Sequence, residues 1–295
     1  GPNDYLPFYD AKIASVDLKQ YLELLKKDHK GLRLYASANA VPTKELILKV
    51  DVEKVKSLGI VPRELESLIV PEMRLRLRGN GLEKKDLAML DVLATSEWER
   101  PLYVNNTSLA QFNVDLSPYV VQEGNAYRIL PVLNPNPQTE LVNTEMSFTN
   151  MTEKFQFRGL ADSTIYYSPD YRQFVQNHRS SFNSLATAMI ARGDSARARE
   201  VLMFSLERMP DHGVPFDYTN TQTVQLLLAV GLCHAKPHSS AAPGGSGSRY
   251  APRRSWRLDQ VLVALGYAGT LLTFLLVSIG VLLWRVPALE REHQA

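Results

Sequence analysis

Cysteine is nearly absent from this 295-residue sequence, in which Cys233 is the single example. One cysteine cannot form an intrachain disulfide or a multi-cysteine zinc site. It disfavours a disulfide-stapled eukaryotic ectodomain and is compatible with the cytoplasm or the bacterial periplasm. The formal charge of +2 is close to neutral, whereas a nucleic-acid partner would require a strongly basic stripe. We therefore expect no nucleic-acid partner.

The sequence also lacks the short motifs that identify common active sites. No Gly-x-Ser-x-Gly elbow occurs, and the glycine-rich stretch 244–247 has no strand before it to make it a phosphate cradle. Among the six histidines only His234 and His238 have the four-residue metal spacing, and Pro237 between them prevents the helical face that zinc would use. We predict no catalytic residue, no metal site and no cofactor in this chain.

Three groups of residues have the chemistry for catalysis or ligand binding, but each also has an alternative structural role. The acid pairs Glu97/Glu99 and Asp162/Asp170 could act as general acid and base, although carboxylates near turns are more often caps or surface charges. His178 lies in a polar stretch that is either solvated or contacts a ligand. Six aromatic residues could stack on a sugar ring, although aromatics at strand ends are more often core: Trp98, Tyr103, Tyr119, Tyr127, Tyr166 and Tyr167.

The most distinctive feature that is present is an uncharged apolar run, Val261 to Trp284. At about 1.5 Å per helical residue, about two dozen residues make a rod of ~36 Å, which crosses a hydrocarbon core of ~30 Å with some tilt. A buried helix of a soluble protein is rarely this long and apolar on all sides. The sequence therefore predicts a transmembrane helix at 258–285, with the lipid bilayer as its partner.

Before position 168 the sequence predicts a mixed α+β soluble domain, 1–168. Predicted helices are Ile13 to Lys26, Arg63 to Leu68 and Glu83 to Thr95. Predicted strands are Leu46 to Val52, Met73 to Leu77, Leu102 to Val104 and Ala126 to Val132. A loop rich in proline and asparagine follows the last strand, at Asn134 to Gln138.

From 169 to 232 the sequence predicts helices only: Asp170 to Arg192, Ser195 to Met209 and Thr221 to Val230. The first has an apolar face of Phe174, Phe182, Leu185, Met189 and Ile190. The first two fit the 34-residue tetratricopeptide pattern at Phe182, Leu185, Gly193, Ala198 and Pro210, with departures at Ala186, Met189 and Ser205. An unrelated pair of helices would have the same core but would imply no binding groove. A flexible basic linker (233–257) and a short tail (286–295) flank the predicted span.

Five segments of the sequence resemble those of a known family: Tyr5 to Asp10, Leu87 to Tyr103, Gln122 to Pro131, Phe157 to Tyr167 and Asn177 to Ala188. They are similar to the C-terminal soluble region of a bacterial family of multi-pass membrane proteins of uncharacterised function. The N-terminal halves of that family resemble protein O-mannosyltransferases and other glycosyltransferases that use polyprenyl-phosphate sugars. The resemblance implies that the catalytic acids lie in a membrane region absent from this chain.

We therefore expect an extracytoplasmic region of a bacterial inner-membrane, glycosyltransferase-like protein, which assists the binding of an acceptor protein or a glycan. The alternative is a non-enzymatic, membrane-anchored scaffold that binds proteins through its helical repeat. Two arguments about the side of the membrane on which the soluble domain lies oppose each other. The positive-inside rule applied to Arg249, Arg253, Arg254 and Arg257 favours a cytoplasmic domain. The resemblance favours a periplasmic domain. In that case membrane segments upstream of Gly-Pro-Asn-Asp, where this sequence opens, would deliver the domain to the periplasm.

Overall fold

The computed structural model describes residues 4–35 and 38–231. The architecture is mixed, with β-sheets and several helices, which agrees with the α+β prediction. The chain divides between Glu153 and Lys154 into two compact units. The predicted domain boundaries, with the first at 168/169, stay a prediction.

Short strands and short helices alternate along the first unit. The strands are β1 (Tyr5–Pro7), β2 (Val16–Asp17), β3 (Arg33–Tyr35), β4 (Ala38–Asn39), β5 (Glu45–Lys49), β6 (Glu72–Leu77), β7 (Gly81–Glu83), β8 (Tyr103–Val104), β9 (Val114–Asp115), β10 (Val120–Glu123), β11 (Ala126–Ile129) and β12 (Leu141–Val142). The α-helices are α1 (Leu18–Lys26), α2 (Val52–Leu58), α3 (Lys84–Thr95), α4 (Asn106–Gln111) and α5 (Thr144–Phe148). Short 3₁₀ helices occupy Lys30–Leu32, Arg63–Leu68 and Ser117–Tyr119, and a π-helical turn, Thr149–Lys154, follows α5.

Two four-stranded sheets organise these elements, in the orders β2-β5-β6-β9 and β12-β10-β11-β8. In the first sheet β2 runs parallel to β5, while β5, β6 and β9 pair antiparallel. In the second sheet β12 runs parallel to β10, and the other pairs are antiparallel. Two-stranded pairs, β1 with β7 and β3 with β4, complete the described strands.

Alternation along β5 and β6 builds the core of the first sheet. Leu46 lies opposite Leu75 and Leu48 lies opposite Met73, and all four side chains are buried, as expected for residues that share one face of a pleated sheet. Helix α1 packs against β5 and buries its own apolar stripe, Leu18, Tyr21, Leu22 and Leu25. The capping residue Asp17 begins α1, because its side chain accepts a hydrogen bond from the amide of Gln20 at 3.0 Å.

Two predicted boundaries in this region were wrong. The predicted helix Ile13 to Lys26 begins only at Leu18, because Val16 and Asp17 pair with β5 as a strand and Asp17 then caps the helix. The predicted strand Leu46 to Val52 ends at Lys49, because Asp51 caps α2 by accepting from the amide of Lys54 at 3.0 Å. In both places an aspartate interrupts an apolar pattern and starts a helix.

The second unit is helical, with α6 (Pro169–Ala191), α7 (Ser195–Arg208) and α8 (Tyr218–Ala229). Helix α6 packs against both α7 and α8. The predicted inward positions Phe182, Leu185, Met189 and Ala198 are all buried. Gly193 has a φ of 80°, a conformation that favours glycine, in the turn between α6 and α7. The assignment of these helices to the tetratricopeptide type stays a prediction.

A buried arginine joins the three helices of the second unit. Arg179 in α6 is 1% exposed. Its Nη1 donates to the carbonyl of Pro215 at 3.0 Å and to Asp217 Oδ2 at 2.9 Å. Its Nη2 donates to the carbonyls of Met209 at 3.0 Å and Val214 at 2.7 Å. Since Met209 follows α7 and Asp217 caps α8, one side chain fixes the end of one helix and the start of the next.

The same geometry explains why Phe174 departs from its prediction. Phe174 was predicted on the buried face of α6, but it is 62% exposed and its neighbour Tyr171 is 64% exposed. Residues 171, 174, 178, 182, 185 and 189 follow one another at spacings of three and four, so they form a single stripe. Because α7 ends and α8 begins at the level of Arg179, the first turns of α6 extend past both helices. The stripe is apolar apart from His178, and it is covered only in its later part.

None of the helices in residues 4–35 and 38–231 has the length and apolar character needed to cross a bilayer. The predicted span, Val261 to Trp284, lies outside these described ranges, as do the predicted linker and tail.

Replacing Ala198 by leucine tests the packing of α7. Ala198 is fully buried, so the larger side chain should overpack its site and lower the free energy of unfolding by ~1–3 kcal/mol. The matched control is Ala196→Leu, an exposed position on the same helix, which should leave stability nearly unchanged. Chemical denaturation followed by circular dichroism measures both. Equal stability of the two variants would contradict the packing described for α7.

Replacing Arg179 by methionine tests its role as a junction. The variant leaves the Asp217 carboxylate and three carbonyl groups without their donor, and the removal of one partner of a buried ion pair costs about 3–5 kcal/mol. Arg199→Met, at an exposed position of α7, is the control. The helical unfolding transition of Arg179→Met should shift to lower denaturant. A shift no larger than that of the control would refute the assigned role.

Candidate functional site

A cleft of about 250 Å³ opens in the first unit beside β10 and β11. Half of its lining residues are apolar, namely Leu109, Pro118, Val120, Pro137 and Leu141. The other half are polar, namely Ser117, Tyr127, Asn134, Thr139 and Glu140. Of these ten residues only Glu140 has an acidic or basic side chain of the Asp, Glu, Lys or Arg type, so the cleft combines an apolar half with an uncharged polar half and one negative group.

A tight hairpin determines which side chains reach the cleft. Strands β10 and β11 are joined by Gly124 and Asn125, with Glu123 paired to Ala126. Gly124 has a φ of 85°, and a glycine with positive φ at the first central position is typical of a type II′ hairpin turn. Side chains directly opposite one another share a face, so Tyr127 points to the same side as its partner Gln122.

The loop that closes the cleft is held by its own hydrogen bonds. The side-chain amide of Asn134 donates to the carbonyl of Thr139 at 2.7 Å, and its oxygen accepts from the amide of Asn136 at 3.0 Å. The side-chain oxygen of Asn136 in turn accepts from the amide of Gln138 at 3.0 Å. Asparagine favours such local turns because its side chain imitates a backbone group. The sequence predicted this loop correctly from its composition.

One hydrogen bond connects the loop to the sheet. The hydroxyl of Tyr127 donates to Glu140 Oε1 at 3.0 Å. Burial raises the pKa of Tyr127, and the negative charge of Glu140 raises it further. Tyr127 therefore stays a neutral donor at any physiological pH, and it holds Glu140 at the rim of the cleft.

The opposite face of the same sheet contains a buried carboxylate. The Glu123 side chain is 1% exposed, and Arg128 Nη1 lies 3.7 Å from its Oε1. The side-chain amide of Asn143 donates to Oε1 at 3.0 Å, and the hydroxyl of Tyr103 donates to Oε2. Burial raises the pKa of Tyr103 to about 12, with a further contribution from the hydrogen bond to Glu123. The carboxylate thus has a partner on each oxygen.

Three of the four candidate acids, Glu97, Glu99 and Asp162, are engaged in local contacts. Lys54 Nζ lies 2.5 Å from Glu97 Oε2 and 3.3 Å from Glu99 Oε1, and this contact lowers the pKa of Glu97. Asp162 accepts from the amide and the hydroxyl of Thr164, at 2.9 and 2.7 Å, and these bonds lower its pKa. Asp170 lies exposed in the first turn of α6. A carboxyl group with a lowered pKa is a poor general acid at neutral pH.

The six candidate aromatic residues separate into buried and accessible groups. Trp98, Tyr119 and Tyr127 are buried, which agrees with their alternative role as core residues. Tyr103 is 46% exposed and Tyr166 is 78% exposed, while Tyr167 is intermediate. Only Tyr127 of the six lines the cleft. A flat aromatic platform for a sugar ring is therefore not assembled by these residues within the part of the chain that the structure describes.

The histidine candidates do not converge on a site. His178 lies half-buried in α6, where burial lowers its pKa. His234 and His238 lie outside the described residues. Over residues 4–35 and 38–231 the structure shows no group of three or more His, Cys, Asp or Glu side chains able to hold a metal ion.

Comparison with known families identifies a match over the first unit. A family model described as TMEM260-associated domain 2 matches residues 1–161, which is more than half of the chain. The chain therefore belongs to this family, whose domain is associated with a membrane protein. No curated protein and no solved structure matches the chain. All ten residues that line the cleft lie within the matched region.

Sequence reasoning missed most of the cleft. It singled out Tyr127 and the loop at Asn134 to Gln138, but as separate features, and it did not consider Glu140 or Leu109. A buried tyrosine needs a partner for its hydroxyl, and a glutamate two residues after the loop at Asn134 to Gln138 was the signal that could have indicated one. Only the pairing of β10, β11 and β12 brings the two together.

Replacing Glu123 by glutamine tests the buried cluster. The pKa of Tyr103 should fall below about 12 but stay above the ordinary tyrosine value of about 10, because burial remains while the negative charge is removed. In the unaltered protein the unfolded chain ionises Tyr103 first, so stability falls as the pH rises through the window from about 10 to about 12.

The measurement is a ¹³C NMR titration of the Tyr103 ring carbon that bears the hydroxyl, with Tyr103→Phe to assign the signal. Glu99→Gln, which removes an exposed carboxylate bonded to Lys54, is the control and should leave the titration unchanged. An unchanged titration in Glu123→Gln would show that Tyr103 does not contact this carboxylate in solution.

Proposed function

We propose that this chain is the extracytoplasmic accessory region of a membrane glycosyltransferase-like protein. In this proposal it holds an acceptor protein or a glycan for a catalytic site that lies in a different part of the parent protein. The observation that supports it most directly is the cleft, a concave site that combines apolar lining residues with polar groups at its rim. The resemblance of the sequence to the C-terminal soluble region of multi-pass membrane proteins, whose N-terminal halves resemble protein O-mannosyltransferases, supports the choice of enzyme class.

Membership of the TMEM260-associated domain 2 family supports the membrane context of this proposal. Within it, residues 169–232 act as a tetratricopeptide-like helical segment and the apolar run Val261 to Trp284 acts as the anchor. The candidate acids of the first unit, Glu97 and Glu99, are held by Lys54 and serve the fold. The role that we assign to the chain is therefore binding and not the chemical step.

A second candidate function has its own supporting observation. The uncovered part of the α6 stripe, Tyr171 and Phe174, exposes two aromatic rings whose centroids are 6.4 Å apart. Exposed aromatic pairs of this kind are frequent in protein interfaces. A membrane-anchored scaffold would use this surface to bind a partner protein, and it would need no cleft in the first unit.

The two functions differ in which surface retains the bound molecule. The immobilised 295-residue chain is offered a library of Ser/Thr-containing peptides and an array of oligomannose glycans. Thr139→Trp places a large side chain at the exposed rim of the cleft, and we expect it to reduce retention at least ten-fold. Thr95→Trp, at the exposed end of α3, is the matched control and should retain as much as the unaltered chain.

The scaffold function predicts the opposite pattern. Phe174→Ser would then reduce retention, while Thr139→Trp would have no effect. Retention that is insensitive to Thr139→Trp would overturn the proposed role of the cleft.

A further inference from the structure

The polar side chains at the rim of the cleft are already engaged with one another and with the backbone. The Tyr127 hydroxyl donates to Glu140, and one N–H of Asn134 donates to the carbonyl of Thr139. The Thr139 hydroxyl donates to the carbonyl of Asn136 at 3.3 Å, and the Ser117 hydroxyl donates to Asp115 Oδ1 at 2.5 Å. Each of the three rim hydroxyls therefore has its single proton committed to a partner within the protein.

A rim whose hydroxyl protons are already committed is unfavourable for the binding of a sugar. A buried sugar hydroxyl both donates and accepts, and an acceptor-rich rim takes its proton but leaves its oxygen without a donor. A hydroxyl moved from water into an apolar environment without such a partner costs about 1–3 kcal/mol by protein mutational data. With its hydroxyl protons committed, the rim offers mainly acceptors, and Glu140 adds a negative charge to them.

The floor of the cleft favours an apolar group. Leu109 and Val120 are each 8% exposed, and the partly buried Leu141 and Pro118 lie beside them. Apolar surface of this kind gains free energy only when it covers another apolar surface, at about 25 cal/mol per Å². The volume of about 250 Å³ is below the ~300–1,000 Å³ that is typical of sites for drug-sized ligands, so it suits one large side chain.

We propose that the cleft binds one aliphatic or aromatic side chain of an acceptor polypeptide, and that Glu140 pairs with a backbone N–H or a lysine beside it. This inference rests on the proposed function and chooses the polypeptide over the glycan as the ligand of the site. The complementarity is twofold. An apolar side chain matches the floor, and peptide N–H groups or a lysine ammonium supply the donors that the acceptor-rich rim needs.

Methyl NMR of the 295-residue chain tests the choice, because Leu109, Val120 and Leu141 place methyl groups in the lining. The probes are N-acetyl-leucine amide, N-acetyl-phenylalanine amide and methyl α-mannopyranoside. We expect the two amino-acid amides to shift these methyl signals in a saturable way, and the mannoside to leave them unchanged. Thr139→Trp should abolish the shifts and Thr95→Trp should preserve them.

A second titration isolates the contribution of Glu140. N-acetyl-Leu-Lys amide should bind more tightly than N-acetyl-Leu-Glu amide, by up to about five-fold for a solvent-exposed charge pair. Glu140→Gln keeps an oxygen for the Tyr127 hydroxyl and should remove this difference. Glu53→Gln, an exposed glutamate on α2, is the control and should keep it.

The outcomes separate this inference from the proposed function. Saturable shifts with the mannoside alone would overturn the inference and leave the proposed function standing, because a glycan is its other ligand class. An absence of shifts with every probe would overturn the inference as well. The proposed function fails separately, when retention of both libraries is insensitive to Thr139→Trp.

Discussion

The burial of one carboxylate constrains the second sheet and the elements that follow it. A charge removed from water is tolerated only when other groups replace its hydration, and Glu123 obtains them from three different elements. Tyr103 comes from the edge strand β8, Arg128 from β11, and Asn143 from the residue before α5. Asn143 also caps α5 by accepting from the amide of Met146 at 3.3 Å. The position of Glu123 therefore determines how the edge strand and α5 attach to the central hairpin.

The second unit is organised in the same way, by a buried charged side chain with several partners, but there the charge is positive. Arg179 is as deeply buried as Glu123, and it obtains its partners from the end of α7, the following loop and the start of α8. Arg179 donates four hydrogen bonds, whereas Glu123 accepts two and also pairs with Arg128, so each charged side chain connects segments that are distant in the sequence. Because α7 ends and α8 begins at the level of Arg179, the aromatic side chains of Tyr171 and Phe174 in the first turns of α6 are left exposed.

Local features of this fold were predictable and long-range ones were not. The helix at Arg63 to Leu68 was predicted with the observed bounds, because Pro62 and Pro71 mark its limits, and α3 was predicted to within one residue. The exposure of Phe174 was not predictable, because periodicity identifies an apolar stripe but not the length of the helices that cover it. The cleft was missed for the same kind of reason: Tyr127 and Glu140 are neighbours only after β10 has paired with both β11 and β12.

The hairpin turn at Gly124 and Asn125 has a consequence for how this family can vary. Neighbouring residues on β11 serve opposite faces: Tyr127 supports the cleft, and Arg128 approaches Glu123. Insertion or deletion of a single residue in the turn would shift the register by one and exchange these two side chains. Arg128 would then enter the cleft. Tyr127 would face the Glu123 carboxylate, which would lose the positive charge of its arginine partner. The length of this two-residue turn is thus fixed by the chemistry of both faces at once, in addition to the glycine that the positive φ of Gly124 requires.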